Sequence, residues 1–298
     1  MSLVVAEVTK RFRDITAVDQ LSFTVREGAL FGFLGPNGAG KTTTMRVILG
    51  ILKPEEGQVT WKGRPLDRLG PGFYGYLPEE RGLYPKMRVA EHLEFLGRIH
   101  GLDRTRARRE VDRWLERFEL GAVRSKRIEE LSKGNQQKVQ VIGTMLHDPE
   151  LLILDEPFAG LDPVNAGLLK EVLLEAHGRG KTIIFSSHRM EQVEEICQDI
   201  ALINLGRLVL HGNLRQIKKA MGRQILRLSL EGNLDFWAKI PGLQLVAERA
   251  DYLEFKLEDG LDPNRVLAEA MEAGQVIRFE LVEPSLDQIF LEKVGAGA

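Results

Sequence analysis

The sequence predicts an α/β protein with a parallel core sheet, an antiparallel β layer and a helical insertion, followed by a small C-terminal α+β domain. The core sheet is indicated by three apolar runs without period-two alternation, at residues 30–34, 151–154 and 182–185. Such runs are typical of strands buried on both faces, and a helical pattern follows each of them. Strand patterns are absent between about residues 89 and 147, where helical patterns dominate. After Gly222 strand patterns return, with short helical patterns between them.

Shorter strand patterns predict the antiparallel layer. They lie at residues 3–8, 21–25 and 58–61. These segments look like strands of a sheet that is separate from the buried core runs. We therefore expect a first domain over residues 1–221, with its helical insertion at about residues 89–147.

The last part of the chain predicts a ferredoxin-like unit, which we place at residues 222–298. The patterns follow the order β-α-β-β-α-β of that fold, and a final amphipathic helix is expected after Pro284, with Ser285 as its cap. Residues 223–298 carry eight basic and fourteen acidic side chains, whereas the whole chain has a net charge of −2. The charge balance therefore also separates this part from the rest. Its predicted strands are 225–230, 243–248, 252–257 and 276–282, and its predicted helices are 234–240 and 263–273.

Composition excludes several classes of protein. The chain is 43% apolar and 28% charged, which is typical of soluble globular proteins. Its longest stretch without a charged residue, 28–40, is shorter than the ~20 residues that a membrane-spanning helix needs. Residues 1–7 contain no basic region, so no signal peptide is expected. Cys197 is the only cysteine, which fits a reducing compartment, and the net charge of −2 gives no case for specific nucleic-acid binding.

A glycine-rich segment predicts a phosphate-binding loop. Residues 35–42 read GPNGAGKT and fit the pattern G-x-x-x-x-G-K-[ST]. Glycines let the backbone curl so that successive N–H groups point at phosphate oxygens, and the following helix presents an N-terminus that favours negative charge. The alternative is a glycine-rich turn without a ligand, which the strand–loop–helix context disfavours. The nucleotide-binding residues predicted here are Asn37, Gly38, Ala39, Gly40, Lys41, Thr42 and Thr43, with Lys41 on the β- and γ-phosphates and Thr42 on Mg²⁺.

Two carboxylates after a buried strand are the expected partners of this loop. Asp155 and Glu156 directly follow the apolar run 151–154. Because side chains alternate along a strand, the two carboxylates point in different directions and can have different tasks. Asp155 suits the metal ion, and Glu156 suits a general base that activates water. The loop and the two carboxylates together predict a nucleoside triphosphatase with ATP and Mg²⁺ as its cofactors. An Asp-Glu pair without such a loop is commonly only solvated.

Further segments resemble the motifs of ATP-binding-cassette (ABC) ATPases and occur in the same order. Residues 131–137 (LSKGNQQ) resemble the family signature L-S-G-G-Q, residues 159–163 (AGLDP) resemble its D-loop, and residues 186–188 (SSH) resemble its H-loop. Phe12 stands where the family places the aromatic side chain that stacks on adenine. Val18 is assigned to the same nucleotide site by this resemblance.

The resemblance implies a head-to-tail dimer in which two subunits enclose each ATP. Ser132 and Gly134 of one subunit would then face the γ-phosphate bound by the other, and Asp162 would lie at the same interface. His188 would contact the γ-phosphate within its own subunit and act with Lys41 and Glu156. Taken singly, Ser132 is an ordinary helix N-cap and His188 a surface histidine; it is their order and spacing that favour the family.

Three residues depart from the family pattern. Lys133 replaces the first glycine of the signature, and Asn135 replaces its glutamine. The added positive charge of Lys133 is compatible with anion binding. Glu79 stands at the position of the Q-loop glutamine. A carboxylate there still offers an oxygen ligand to Mg²⁺, so our hypothesis is that Glu79 is a metal ligand rather than a degenerate position.

The segments that contain these departures, and the end of the chain, resemble one branch of the family. Residues 77–85, 131–138 and 283–290 look like the ATP-binding subunits of type-2 ABC exporters, especially the sodium-extrusion subunits of the Nat kind. This resemblance implies efflux of ions or small molecules through a separate integral membrane permease. It also implies a cytoplasmic subunit, peripheral on the inner face of the cell membrane, in a homodimer or heterodimer of ABC subunits. The alternatives are a soluble ABC ATPase acting on a cytosolic complex and a non-catalytic nucleotide-binding regulator.

Three regions outside the motifs leave alternatives open. Residues 82–87 are expected to dock the permease, as the resemblance implies, or to form a plain surface loop. The basic run at residues 104–127 is expected to be a solvated helix face paired with its own acids, or to face anionic lipid. The domain at residues 222–298 is expected to stabilise the dimer or to regulate the ATPase.

Overall fold

The computed structural model describes residues 3–70, 72–80, 82–221, 225–233, 235–258 and 260–295. The chain divides into two compact units, residues 1–212 and residues 213–298. Gly222, where the domain boundary is predicted, lies outside the described residues. The division into domains at residues 221 and 222 stays a prediction.

The first unit alternates strands and helices. Its strands are β1 (Leu3–Phe12), β2 (Ile15–Val25), β3 (Leu30–Leu34), β4 (Glu56–Trp61), β5 (Arg64–Pro65), β6 (Tyr74–Leu77), β7 (Leu151–Leu154), β8 (Thr182–Ser187), β9 (Asp199–Asn204) and β10 (Arg207–Asn213). Its helices are α1 (Lys41–Ile48), α2 (Val89–Ile99), α3 (Arg104–Arg117), α4 (Lys133–Met145), α5 (Pro163–Gly178) and α6 (Met190–Ile196).

The core sheet confirms the predicted α/β class. Its strand order is β10-β9-β3-β8-β7-β6, and the pairings of β3 with β8 and β9, and of β7 with β6 and β8, are parallel. Every residue of β3, β7 and β8 is buried, as continuous apolar runs require. Because parallel strands end at the same edge of a sheet, the segments after β3, β6, β7 and β8 meet there.

The antiparallel layer has longer strands than the sequence predicts. Its order is β2-β1-β4-β5, and β1 continues to Phe12 while β2 begins at Ile15. The register shifts several times along this hairpin. Each shift interrupts the alternation of apolar residues, so the exposed half of the hairpin lacks a readable strand pattern. The layer packs on the core sheet through Phe23, whose ring stacks on Phe31 and Phe33 at centroid distances of 5.8 and 5.3 Å.

The helical insertion holds α2, α3 and α4. The basic side chains of α3 and its neighbourhood are partly paired with acids: Arg113 lies 2.6 Å from Glu110, and Arg124 lies 3.0 Å from Asp112. These pairs agree with a solvated helix face, the first of the two interpretations of the basic run. Across the residues that the structure describes, no helix is both long and apolar enough to cross a membrane.

The second unit has the predicted ferredoxin-like order. It contains α7 (Leu214–Met221), β11 (Ile225–Gly232), β12 (Leu243–Glu248), β13 (Leu253–Leu257), α8 (Pro263–Ala273), β14 (Gly274–Val282) and α9 (Leu286–Gly295). The strand order is β12-β13-β11-β14, with antiparallel pairs. These elements enclose a core of their own, which includes Leu226, Leu228, Phe236, Phe255 and Val266.

The helix predicted at residues 234–240 is only one turn of 3-10 helix, Phe236–Lys239; Leu234 lies outside the described residues. The turn is short because both of its ends are restricted. The side chain of Asn233 accepts a hydrogen bond from the backbone N–H of Asp235, and Pro241 follows closely, which disfavours a helical conformation in the residue before it.

Candidate nucleotide-binding site

A cleft of about 250 Å³ opens at the carboxyl edge of the core sheet. The loop after β3 forms one wall, and the segments after β6 and β7 supply three carboxylates. The structure therefore brings together the predicted phosphate-binding loop, the predicted general base Glu156 and the predicted metal ligands Asp155 and Glu79. The lining residues are Ala17, Pro36, Asn37, Gly38, Ala39, Gly40, Lys41, Thr42, Thr43, Glu79, Asp155 and Glu156.

The loop has the backbone that phosphate binding requires. Gly38 and Gly40 have φ angles of +79° and +100°, in the region that disfavours other residues. A Cβ atom at Gly40 would also lie 2.4 Å from the carbonyl oxygen of Ala17. α1 begins directly afterwards without a side-chain cap and without an acid in its first turn. Its N-terminal N–H groups thus suit an external anion.

Lys41 extends from the loop toward the carboxylates. Its side chain is only 7% exposed, and Nζ donates hydrogen bonds to the carbonyl oxygens of Gly35 (2.7 Å) and Pro36 (3.2 Å). The same Nζ lies 3.6 Å from Oε1 of Glu156. The ammonium group is therefore held in the cleft by partners on both sides, and a phosphate bound there would take the place of one of these partners.

Asp155 has one oxygen satisfied and one without a partner. The carboxylate is buried, and Oδ1 accepts a hydrogen bond from Oγ of Ser186 at 2.5 Å. Oδ2 is buried and has no hydrogen-bond partner among the described residues. An unpartnered buried carboxylate oxygen is costly, and a divalent cation or a water bound to it would satisfy this oxygen. Among the described residues no cluster of three or more His, Cys, Asp and Glu could hold a metal ion.

These residues nevertheless fit Mg²⁺ bound together with a nucleotide. Mg²⁺ usually takes one or two carboxylates and completes its shell with water and substrate phosphates. Thr42, Glu79 and Asp155 all line the cleft and offer a hydroxyl and carboxylate oxygens. The donor set therefore suits the ion with ATP present.

Glu156 contacts Ser186 and His188 in addition to Lys41. Its backbone N–H donates to Oγ of Ser186 at 3.0 Å, and its Oε1 lies 3.0 Å from Nδ1 of His188. Its φ angle is +50°, a left-handed conformation that is uncommon for a residue with a side chain. The pairing of Glu156 with His188 joins two predicted catalytic residues that are 32 positions apart in the chain. His188 is 45% exposed, so its ring also faces the outside of the cleft.

Ser186 was not predicted as a site residue. Its hydroxyl donates to Asp155 and accepts from the N–H of Glu156, so one side chain links both carboxylate positions. The available signal was a small polar residue near the end of a buried strand, two positions before the predicted histidine.

Six predicted site residues lie outside the lining of the cleft. One of them, His188, still contacts the lining residue Glu156. Phe12 is at the end of β1 with 44% of its surface exposed, and the ammonium group of Lys10 lies 5.4 Å from its ring centroid. Val18 is fully buried in the core, and its neighbour Ala17 lines the cleft instead. Because alternate residues of β2 point to opposite sides, Val18 and Ala17 cannot both face the nucleotide.

The other three residues lie at the starts of helices. Ser132 and Gly134 are at the start of α4, and Asp162 is at the start of α5. Ser132 caps α4 by accepting a hydrogen bond from the N–H of Asn135 at 3.3 Å. Asp162 caps α5 by accepting from the N–H of Asn165 at 2.9 Å, and this hydrogen bond lowers the pKa of the carboxyl group below its usual value. These contacts are the ordinary N-cap role. A part in binding phosphate would need a second subunit.

Comparisons with known proteins identify the family. Residues 18–159 match the ABC transporter family, and residues 212–294 match the C-terminal domain of DrrA1-3-like ATP-binding proteins. The chain is 47% identical to the uncharacterized ABC transporter ATP-binding protein YhaQ of Bacillus subtilis, over 99% of both chains. The chain is an ABC transporter ATP-binding protein. The predicted family resemblance is thereby confirmed.

Other ABC proteins support the same assignment. The ABC transporter ATP-binding protein NatA of Bacillus subtilis is 34% identical and aligns with 72% of this chain and 91% of its own. The Nod factor export ATP-binding protein I of Paraburkholderia xenovorans is 38% identical over 69% of each chain. A solved structure of the ATP-binding subunit of an ABC transporter superposes with a TM-score of 0.69, at 30% identity, over 74% of this chain and 94% of that one. ABC proteins of this type bind ATP, and the family hydrolyses it.

Proposed function

We propose that this ABC protein hydrolyses Mg²⁺-ATP to drive export through a separate integral membrane permease. The single observation that carries the proposal is the cleft in which Lys41, Asp155 and Glu156 converge with the glycine loop. Export is supported by the similarity to a Nod factor export protein and by the exporter-like sequence at residues 77–85. The subunit would be cytoplasmic and peripheral on the inner face of the cell membrane, because its permease would hold it there.

The loop would bind the phosphates, and three side chains would hold the metal side of the site. Backbone N–H groups of residues 37–43 and the ammonium group of Lys41 would contact the phosphate oxygens. Thr42 and Asp155, together with Glu79, would hold Mg²⁺, which neutralises charge on the transferring phosphoryl group when bound. Phe12 would stack on adenine. We keep Val18 only as a backbone contribution to this site, since its side chain is buried.

Glu156 would act as the general base of hydrolysis. Its carboxylate accepts a proton from a water whose oxygen attacks the γ-phosphorus, while the bond from phosphorus to the β–γ bridging oxygen breaks and ADP leaves. His188 lies 3.0 Å from the Glu156 carboxylate. It would therefore orient this base and contact the γ-phosphate from the open side of the cleft.

Hydrolysis would need a dimer of ABC subunits, either identical or different. Ser132, Gly134 and Asp162 lie at helix starts outside the cleft lining of their own chain. In the head-to-tail arrangement, the start of α4 would offer its N–H groups and the Ser132 hydroxyl to the γ-phosphate bound by the other subunit.

The Glu156→Gln variant tests the ATPase proposal. The amide cannot accept a proton, so we expect the hydrolysis rate to fall about 10²- to 10⁴-fold while ATP binding is retained. Phosphate release and nucleotide binding should be measured on the same preparation, with Glu150→Gln as the control because Glu150 lies outside the cleft lining. A Glu156→Gln protein that hydrolyses ATP at the wild-type rate would exclude this role.

An exposed aromatic surface is the proposed docking site for the permease. Tyr84 and Phe95 are 53% and 40% exposed, and their ring centroids lie 5.8 Å apart. Ile99, one helical turn beyond Phe95 on α2, is 50% exposed. Exposed apolar side chains that lie together are typical of interaction sites, and this surface follows the Glu79 segment directly in the chain.

Copurification tests this surface and the transport function together. Tagged protein from gently solubilised membranes should carry a partner with several spans of ~20 apolar residues. Tyr84→Asp should remove that partner, whereas Leu174→Asp, which changes another exposed apolar residue, should keep it. Recovery of ribosomal or other cytosolic components in place of a membrane protein would overturn the export proposal and leave the ATPase assignment standing.

A further inference from the structure

One face of α4 carries polar side chains that are buried. Gln137, Gln140 and Thr144 are 7%, 6% and 6% exposed. Their spacing of three and four residues places them on one side of the helix. Buried polar groups in a helix facing a core need partners, so the partners indicate what this face does.

The partners of Gln140 are the two carbonyl groups on either side of Glu79. Its Nε2 lies 2.9 Å from the carbonyl oxygen of Pro78 and 3.3 Å from that of Glu80. A primary amide has two N–H bonds, so one side chain can donate to both carbonyls. Its Oε1 is buried and has no partner among the described residues. The hydrogen bonds of the Gln140 amide are therefore those that its N–H groups donate.

The rest of the face is bonded to the same part of the molecule. Oγ1 of Thr144 lies 3.3 Å from the carbonyl oxygen of Tyr76 in β6, and Nε2 of Gln137 lies 3.4 Å from that of Pro157, directly after Glu156. A Cβ atom at Gly75 would lie 2.3 Å from the carbonyl oxygen of Thr144. α4 therefore packs against β6 at backbone distance and is bonded to both segments that bring carboxylates to the cleft.

We infer that Gln140 is a positioning residue that holds Glu79 in the cleft by tying both flanking carbonyls to α4. The inference rests on the proposed function, because Ser132 at the start of α4 would meet the nucleotide of the other subunit. Gln140 follows Ser132 by eight residues, about 12 Å along the helix. A shift of α4 on meeting that nucleotide would therefore move Glu79 in its own cleft, which links the two ATP sites.

Gln140→Met tests the inference because it keeps the length of the side chain and removes the donor. We expect faster amide hydrogen exchange in the peptide that contains Glu79, measured on the full chain without nucleotide. We also expect the Mg²⁺ concentration for half-maximal ATPase to rise about two- to tenfold, the range that one or two lost hydrogen bonds produce. In a Glu79→Ala background, Gln140→Met should cause no further change in the Mg²⁺ requirement.

Gln288→Met is the control for the loss of a glutamine amide. Nε2 of Gln288 donates to Oε1 of Glu254 at 2.6 Å; both residues belong to the second unit and neither lines the cleft. This variant should leave hydrogen exchange around Glu79 and the Mg²⁺ requirement unchanged. Two results would overturn the inference. One is amide hydrogen exchange around Glu79 that is as slow in Gln140→Met as in the wild type. The other is an effect of Gln140→Met on the Mg²⁺ requirement that is equally large in the wild-type and Glu79→Ala backgrounds. Absence of ATPase activity in the wild-type chain would instead refute the proposed function, and hydrogen exchange would still decide the role of Gln140.

Discussion

The hydroxyl of Ser186 links the two carboxylate residues of the cleft. It donates a hydrogen bond to Asp155 and accepts one from the backbone of Glu156. All three residues are buried, so water cannot easily replace a lost partner. The geometry of both carboxylates thus depends on one small side chain at the end of β8.

We predict that Ser186→Ala lowers both stability and activity. The amide N–H of Glu156 and one oxygen of Asp155 would lose their partner, at a cost of about 1–3 kcal/mol in the free energy of unfolding. Loss of alignment should lower the ATPase rate up to about a hundredfold. Urea denaturation and phosphate release measure the two effects.

Ser187→Ala is a suitable control for this prediction. Ser187 is equally buried, but its hydroxyl bonds the backbone of Arg189 within its own turn. We expect a smaller loss of stability and a near-normal rate, and Ser186→Thr should restore most of the activity because it keeps the hydroxyl. If the alanine variants at 186 and 187 behave alike, Ser186 has no special part in the site.

At the scale of elements, α2 contains a buried histidine without hydrogen bonds. His92 is fully buried, and neither ring nitrogen has a partner among the described residues. Burial lowers the pKa of His92 to about 4. The pKa of His147, just after α4, is also lowered to about 4, mainly by burial and further by the neighbouring His100. Both side chains are therefore neutral in the folded insertion at pH 7.

These two histidines predict a loss of stability in mild acid. An unfolded histidine titrates near pH 6.5, so between about pH 6.5 and 4 the unfolded chain binds more protons than the folded chain. The free energy of unfolding should then decrease as the pH falls, by up to about 1.4 kcal/mol per pH unit for each histidine. Urea denaturation at pH 7 and pH 5 measures this slope.

His92→Leu should reduce this pH dependence, because leucine does not titrate. Leucine also has a volume similar to that of histidine, so the packing of the insertion should be kept. Its stability at pH 7 should be close to that of the wild type, since no hydrogen bond is lost. His177→Leu, which replaces a histidine on the last turn of α5, is the comparison. An unchanged slope in His92→Leu would mean that His92 does not carry the acid sensitivity.

For the whole molecule, the main feature is that each compact unit has a hydrophobic core of its own. A unit with its own core can fold without the rest of the chain. Among the described residues, those that line the nucleotide cleft belong to the first unit. The proposed task of the second unit is to stabilise the dimer or to regulate hydrolysis.

We predict that a chain ending at Met221 stays folded and binds ATP as the full chain does. Its ability to form an ATP-bound dimer in the Glu156→Gln background, or its ATPase rate, should change. Nucleotide binding, light scattering with ATP and phosphate release would be compared between the two lengths. Normal dimerisation together with a normal rate would refute both tasks of the second unit.

The sequence was most informative where chemistry depends on adjacent residues. The loop at residues 35–42 and the pair Asp155–Glu156 each need only a strand and the few residues after it. Their position follows from the rule that parallel strands end at one edge. The cleft therefore combines the loop with Glu79, Asp155 and Glu156, as the motifs indicate.

Contacts between distant segments could not be read in this way. Ser186 and Gln140 meet their partners across 31 and 62 positions of the chain, and the choice of Ala17 over Val18 depends on which face of β2 the cleft adjoins. The sequence does not predict the full length of the hairpin of β1 and β2, because its register shifts remove the alternation of apolar residues.

Four features of the protein could be predicted from its amino-acid sequence: the family, the α/β core, the ferredoxin-like order of the second unit and the residue types of the cleft. These follow from local patterns, because hydrophobic periodicity and short motifs act over a few residues. The support of the cleft follows from the tertiary fold, in which Ser186 bonds both carboxylate residues and α4 bonds the backbone on either side of Glu79. The physical reason is that buried hydrogen-bond partners are chosen by packing, which brings together side chains and carbonyl groups that no local pattern relates.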